Sequence, residues 1–117
     1  MGITKVSAVL QSGSAEQIEQ DFLVDSGAVY SVLPSKIWKK LGLKPKRHLR
    51  FALADGTTIE RGVSECRFVL SGVDGVSPVV LGEGKDVALL GVVTLETLGL
   101  VFNPFDRTLK PMHLMLT

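Results

Sequence analysis

The stretch DFLVDSGAVYSVLP, residues 21–34, places an aspartate between two apolar segments. Asp25 directly follows the apolar residues 22–24, and the chain continues with AVYSVLP rather than with polar loop residues. An Asp-Ser-Gly triplet alone is a common turn composition, in which Asp bonds its own backbone and Gly adopts positive φ. The apolar flanks instead predict a buried carboxyl group, which needs a compensating partner or a chemical task.

Composition bounds the class of protein. A chain of 117 residues is the size of one domain, so we expect a single domain over residues 1–117. A net charge of +1 is too small to attract nucleic acid or an anionic membrane strongly, and we expect neither as a partner. Cys66 is the only cysteine, which fits a reducing compartment, most simply the cytoplasm. No window approaches the roughly 18 apolar residues of a membrane span.

The hydrophobic pattern predicts a mostly-β fold. Apolar residues recur with period two or in short bursts separated by glycine. Turn signals at residues 55–56 and 74–75 favour antiparallel hairpins. Only PSKIWKKLG (34–42) and TLETLG (94–99) have a helical pattern, and each ends in glycine. Because each also follows an apolar segment and a glycine, the chain shows a weak internal repeat.

Three segments, in this order along the chain, resemble the retropepsin-like aspartic proteases of clan AA, particularly their small single-domain prokaryotic members. They are FLVDSGA (22–28), the hairpin LRFALADGTTIERGV (49–63) and ALLG (88–91). The tail LETLGLVFNPFDRTLKP is similar to the closing helix and hairpin of that family. Asp25 and Gly91 lie 66 positions apart, a spacing similar to that of the retroviral enzymes. The resemblance implies a closed β-barrel of the acid protease fold, with two short helices and one flap hairpin per subunit.

The resemblance also implies an aspartic endopeptidase that hydrolyses peptide bonds with no cofactor and no metal. This route needs two carboxyl groups that share one proton at close range, because one activates water while the other polarises the scissile carbonyl. The sequence holds a single Asp-Ser-Gly triplet and no Asp-Thr-Gly. The second acid must therefore come from another copy, and a twofold homodimer would place each Asp25 against its twin.

The resemblance gives the neighbours of Asp25 supporting roles. Ser26 would donate a hydrogen bond across the dimer axis, and Gly27 would bring the backbone close to an extended peptide or protein substrate. Ala28 lacks the hydroxyl that the two-domain relatives carry at this position. Four residues would form the flap tip that covers the substrate, namely Ala54, Asp55, Gly56 and Thr57. Leu89 and Leu90 would wall the site, and Gly91 would let the catalytic loop approach closely.

Two rival functions stay open at this level. The same cleft could belong to a dimeric peptide-binding or adaptor module that does not cut, and the chain could also be a purely structural oligomerisation domain. The basic run KPKRHLR (44–50) is either a solvated connection before the flap or a patch for an acidic substrate or nucleic acid. The final MHLMLT (112–117), alone or with ITKVSAVL (3–10), would form an intersubunit sheet. We expect Cys66 to be a buried core thiol.

Overall fold

Strands make up most of the fold. The computed structural model describes residues 4–25, 27–113 and 116. In chain order its elements are β1 (Lys5–Gln11), β2 (Ile18–Val24), β3 (Ser31–Leu33), α1 (Ser35–Lys40), β4 (Arg47–Ala52), β5 (Thr58–Leu70), β6 (Val73–Leu81), β7 (Leu89–Leu90), α2 (Val92–Thr97), β8 (Leu100–Asn103) and β9 (Thr108–Pro111). The prediction of a mostly-β chain with two short helices is confirmed.

Six strands form a ring. Their order is β1-β2-β7-β3-β6-β5, and pairing of β1 with β5 closes the ring, while β4 pairs with β5 outside it. The ring is not a strict barrel, so it is a looser form of the closed sheet expected from the sequence. Most pairs are antiparallel as predicted, but β2 runs parallel to β7 and β3 runs parallel to β6. Parallel pairing is possible there because each pair joins segments distant in sequence, which leaves room for the long crossover connection that parallel strands need.

The core fills the interior of the ring. Phe22 and Phe68 are fully buried, and their ring centroids lie 5.7 Å apart. Burying each phenylalanine contributes about 1.5 to 3 kcal/mol. Cys66 is buried among these residues, as the sequence analysis expected, and burial raises the pKa of its thiol to about 12. The thiol is therefore protonated and packs as a small apolar group.

Helix α1 ends where the sequence predicts. Gly42 adopts a φ of +72°, and its N–H donates to the carbonyl of Lys39 at 3.0 Å. The N–H of Leu43 donates to the carbonyl of Trp38 at 3.0 Å. This pair of bonds satisfies carbonyls that the helix end leaves free. Leu43 then enters the core, which fixes the direction of the chain after the helix.

Helix α2 begins two residues before its predicted start at residue 94. Val92 and Val93 form its first turn, and their N–H groups donate to the carbonyls of Ala28 and Val29 at 2.9 Å each. First-turn N–H groups have no partner within a helix. The start of α2 is therefore set by a contact with a distant segment, which local patterns do not reveal.

A second, two-stranded sheet pairs β8 with β9. It lies at the C-terminal end of the chain, where Phe102 and Leu109 pack against the core. Residues 114, 115 and 117 of the predicted intersubunit strand lie outside the described residues, so that prediction stays untested. Within the described ranges, none of the helices is both long and apolar enough to cross a membrane.

Candidate active site

Asp25 follows the last residue of β2, and its side chain is exposed in the single chain. The prediction of a buried carboxyl group is therefore wrong for one copy alone. The prediction failed because β2 ends at Val24. Phe22 within the strand points into the core, whereas Asp25 after the strand lies at the surface. An exposed carboxylate at this position is accessible to molecules outside the chain.

The loop after β2 holds the Asp25 carboxylate in place. The N–H of Gly27 donates to Asp25 Oδ1 at 2.8 Å, and the N–H of Ala28 donates to the Asp25 carbonyl at 3.0 Å. The N–H of Asp25 donates to the carbonyl of Leu90 on β7 at 3.3 Å. A tight turn and a parallel neighbouring strand thus orient one carboxylate oxygen. Ser26, whose role across a dimer axis was inferred from the resemblance, lies outside the described residues.

Gly91 lies against the continuation of this loop. A Cβ atom at Gly91 would lie 2.5 Å from the carbonyl carbon of Tyr30 and 2.7 Å from the carbonyl oxygen of Val29. Both are backbone atoms, so no side-chain rotation could relieve the overlap. The absence of a side chain at this position lets α2 approach the loop closely enough to bond Ala28 and Val29. The close approach is of the kind inferred for Gly91 from the sequence, and its role in supporting the catalytic loop at the wall of the site stays a prediction.

Three buried hydroxyl groups hold the elements behind the loop together. Thr94 Oγ1 lies 2.5 Å from Ser31 Oγ and 2.8 Å from Ser77 Oγ. Ser31 Oγ accepts the N–H of Gly91 at 2.9 Å, and all three side chains are fully buried. Sequence reasoning missed this cluster, which joins β3, β6 and α2. Its only signal is that each hydroxyl is isolated in an apolar run, in YSVL, VSPVV and VVTLE.

We expect Thr94→Val to lower the free energy of unfolding by about 1 to 3 kcal/mol, because the hydroxyls of Ser31 and Ser77 would each lose a partner while staying buried. Urea unfolding measures this change. Thr97→Val is the matched control, since Thr97 is exposed on the same helix and should change stability by less than about 0.5 kcal/mol. Equal effects of the two substitutions would show that the cluster contributes nothing specific.

A cavity of about 680 Å³ opens beside the loop. Its lining is mainly apolar and comes from five parts of the chain: Gly27, Ala28, Val29, Tyr30, Val32, Phe51, Leu53, Ile59, Arg61, Val80, Lys85, Asp86, Val87 and Leu89. Of the two leucines expected to wall the site, Leu89 lines the cavity, whereas Leu90 lies fully buried in the core. The alternation along β7 explains this, because successive residues of a strand point to opposite sides.

The β4–β5 hairpin borders the cavity through Phe51 and Leu53 on one side. Its tip contains the four residues Ala54, Asp55, Gly56 and Thr57, all of them exposed. Asp55 Oδ1 accepts the Thr57 hydroxyl at 2.6 Å and the Thr57 N–H at 3.0 Å, and these two bonds lower the pKa of Asp55. Gly56 has a φ of +88° and completes the turn. The structure therefore contains a hairpin with a hydrogen-bonded turn at its tip next to the cavity.

An ion pair ties this hairpin to the opposite wall of the cavity. Arg61 Nε on β5 donates to Asp86 Oδ2 at 2.8 Å, and the N–H of Glu83 donates to the same oxygen at 2.9 Å. Burial works to raise the pKa of Asp86, but the hydrogen bonds from Arg61 and Glu83 together hold it below the ordinary value of 3.8. Sequence reasoning missed this pair, since 25 residues separate its members and no local pattern connects them.

The lowered pKa of Asp86 predicts a pH-dependent contribution to stability. A carboxyl group whose pKa falls on folding stabilises the protein at any pH above its unfolded pKa, which is 3.8 for Asp86. This stabilisation is lost as the pH falls through the lower pKa of the folded state. We expect Asp86→Asn to lower the free energy of unfolding by about 1 kcal/mol at neutral pH. The difference from the wild type should shrink once pH falls well below 3.8. Urea unfolding at both pH values tests this, and a pH-independent difference would contradict it.

The comparisons with known proteins identify the family of the chain. Residues 12–97 match the model of a protein family described as "gag-polyprotein putative aspartyl protease". The matched region covers well over half of the chain and includes Asp25, the hairpin tip and Gly91. No curated protein matches the chain. Together with the ring-like, mostly-β fold, the family match shows that the chain belongs to the retropepsin-like aspartyl proteases.

Proposed function

We propose that the protein is an aspartic endopeptidase whose active site forms between two copies of the chain, each of which contributes Asp25. The observation that carries the proposal is an oriented, exposed carboxylate next to an apolar cavity that offers it no free second acid. Asp86 is the one acid among the described residues that line the cavity, and it is bonded to Arg61. A carboxylate held in its charged form by an ion pair cannot hold the shared proton that this chemistry needs.

The two copies would divide the catalytic work. Two carboxyl groups at close range cannot both ionise, so the pair of Asp25 side chains holds one proton between them. The charged Asp25 removes a proton from water, and the protonated Asp25 of the partner donates to the scissile carbonyl oxygen. The Gly27 N–H bond to Oδ1 supports this arrangement because it fixes the carboxylate in both copies before substrate arrives.

An extended peptide is the substrate that the cavity suits. Its apolar lining accepts apolar side chains, while the β4–β5 hairpin, acting as a flap, excludes water and offers backbone groups for pairing. Three exposed apolar side chains surround the cavity, Val29, Leu53 and Val87. Apolar surface exposed around a cleft is typical of a binding site, so substrate and the second copy would cover these residues.

Titration with a statine-type inhibitor tests the proposal. Such inhibitors carry a hydroxyl that binds between the two acids, so we expect one inhibitor to bind per two chains. Mass spectrometry can monitor the hydrolysis of a peptide that has apolar residues around its centre. We expect this hydrolysis to stop once one inhibitor is present per two chains. Binding of one inhibitor per chain, or cleavage that the inhibitor leaves unaffected, would contradict a site shared between two copies.

A further inference from the structure

The small net charge hides a strongly uneven charge distribution. Residues 36–50 contain more than half of the basic side chains, namely Lys36, Lys39, Lys40, Lys44, Lys46, Arg47 and Arg50 of the 13 Lys and Arg. Residues 26–54 contain no Asp or Glu. The balance is restored elsewhere in the chain, so net charge gives no indication of this segment's potential. The segment includes the KPKRHLR run, which the proposed function leaves unexplained.

Helix α1 presents three of these lysines on one side. Lys36, Lys39 and Lys40 are exposed, while Ile37 and Trp38 pack against the core. Residues at i, i+3 and i+4 are neighbours on a helix surface, so the three ammonium groups repel one another. Lys39 and Lys40 offset part of this cost because they lie at the C-terminal end of the helix dipole. Lys36 lies in the first turn and gains nothing from that dipole.

Lys44 is a fourth exposed lysine close to the helix in sequence, since only residues 41–43 separate it from the end of α1. Lys46 differs, because it pairs with Glu65. In the described part of the chain, Lys36, Lys39, Lys40 and Lys44 have no ion-pair partner, and we refer to these four side chains as the basic surface. Its positive charge is therefore available to an external partner.

The basic surface adjoins the wall of the cavity. Trp38 Nε1 on α1 donates to the carbonyl of Gly82 at 2.8 Å. Gly82 begins the loop whose residues Lys85, Asp86 and Val87 line the cavity. Pro34, at the start of α1, shares a second pocket with Asp86 and Val87. A chain that leaves the cavity past this loop would therefore pass close to α1, and the loop itself carries both an exposed Lys85 and an exposed Glu83.

We propose that the basic surface binds an acidic segment of the protein substrate that lies outside the residues cut at Asp25. This inference rests on the proposed function and names a class of substrate for it, an apolar cleavage sequence flanked by Asp or Glu. Opposite charges steer such a segment to the enzyme and add affinity without changing the chemistry. The docking contribution should thus lower KM and leave kcat unchanged.

Two observations favour an acidic polypeptide over nucleic acid. Single-stranded nucleic acid binds through aromatic side chains on which bases stack. The aromatic residue of α1 is Trp38, which is half-buried and donates its ring N–H to the carbonyl of Gly82. Lys39 Nζ lies over its ring, 5.5 Å from the ring centroid, so the ring face is not open for a base to stack on. Next to α1, Glu60 and Glu83 line a pocket with Trp38 and His48 and interrupt the positive charge. An acidic segment of a few residues can lie on the four lysines alone, whereas a long phosphate backbone that continued toward this pocket would meet the two glutamates.

Fluorescence anisotropy with the Asp25→Asn protein tests the proposal without turnover. The probes are an apolar peptide followed by a short run of Glu and the same peptide followed by Gln. We expect the Glu peptide to bind about five- to tenfold more tightly at low salt, and Lys36→Gln/Lys40→Gln to remove that difference. The matched control is Arg107→Gln/Lys110→Gln, which removes two exposed charges from the β8–β9 hairpin, one in its turn and one in β9, and should keep the difference.

Other outcomes would overturn the inference in identifiable ways. Equal affinity for the two peptides would contradict the docking role of the basic surface but would not contradict cleavage at Asp25. The two proposals can therefore fail separately. An oligonucleotide that binds more tightly than the Glu peptide, and loses affinity in Lys36→Gln/Lys40→Gln, would assign the surface to nucleic acid. A loss of dimer by sedimentation in the same variant would assign it to the subunit interface.

Discussion

Replacing Asp25 with asparagine is expected to lower kcat by at least about a thousandfold, because asparagine can neither remove a proton from water nor share one with the partner's Asp25. The fold should survive. Asp25 is exposed in the single chain, and an amide oxygen can still accept the Gly27 N–H. Peptide hydrolysis measures the loss, while circular dichroism and urea unfolding verify that the structure is retained.

Asp21→Asn is the matched control for this substitution. Asp21 is an exposed carboxylate on β2, four residues before Asp25, and we expect its replacement to leave kcat within about twofold of the wild type. Hydrolysis that persists in Asp25→Asn would contradict the catalytic role. Peptide binding by a wild-type protein that never cleaves would instead favour the adaptor module.

Gly91→Ala is expected to have the next largest effect. Its Cβ would lie 2.5 Å from the carbonyl carbon of Tyr30, so either α2 or the loop after Asp25 must shift. Overpacking against backbone of this kind costs about 3 kcal/mol. Gly91 has an extended backbone with a φ of −97°, which alanine also adopts, so the effect is purely steric. Displacing the loop by about 1 Å should lower kcat about a hundredfold.

Gly75→Ala provides the comparison for Gly91→Ala. Its Cβ would meet Leu98 Cδ2 at 3.2 Å, the end of a flexible side chain that can move aside. We expect a change in unfolding free energy of less than about 1 kcal/mol and an unchanged kcat. Urea unfolding and peptide hydrolysis are measured for both variants. If Gly91→Ala keeps wild-type stability and kcat, the close packing of α2 on the loop does not position Asp25.

Sequence patterns predicted the features that depend on neighbouring residues. Short segments of sequence predict the mostly-β class and the family. Residues 34–42 likewise predict that α1 ends at a glycine, because alternation and turn glycines act locally. The hairpin over residues 49–63 is present for the same reason, although its strands extend further, from Arg47 to Leu70. The roles of its tip in covering a substrate stay predictions.

Features that depend on long-range packing could not be predicted. Thr94 meets Ser31 across 63 residues and Ser77 across 17, and an isolated hydroxyl in an apolar run does not indicate which partner it meets. The side chain of Asp25 is exposed rather than buried because β2 ends just before it, and apolar neighbours in sequence do not reveal where a strand stops. Knowledge of the sheet order is needed in both cases.

The central claim is that one chain holds half of an active site. Measuring specific activity over a dilution series, with sedimentation velocity at each concentration, tests it most directly. We predict that activity per chain falls in proportion to the fraction of dimer, because a separated chain keeps a single Asp25, and none of the described residues at its cavity is a free second acid. Constant activity per chain at concentrations where sedimentation shows only monomer would contradict the account.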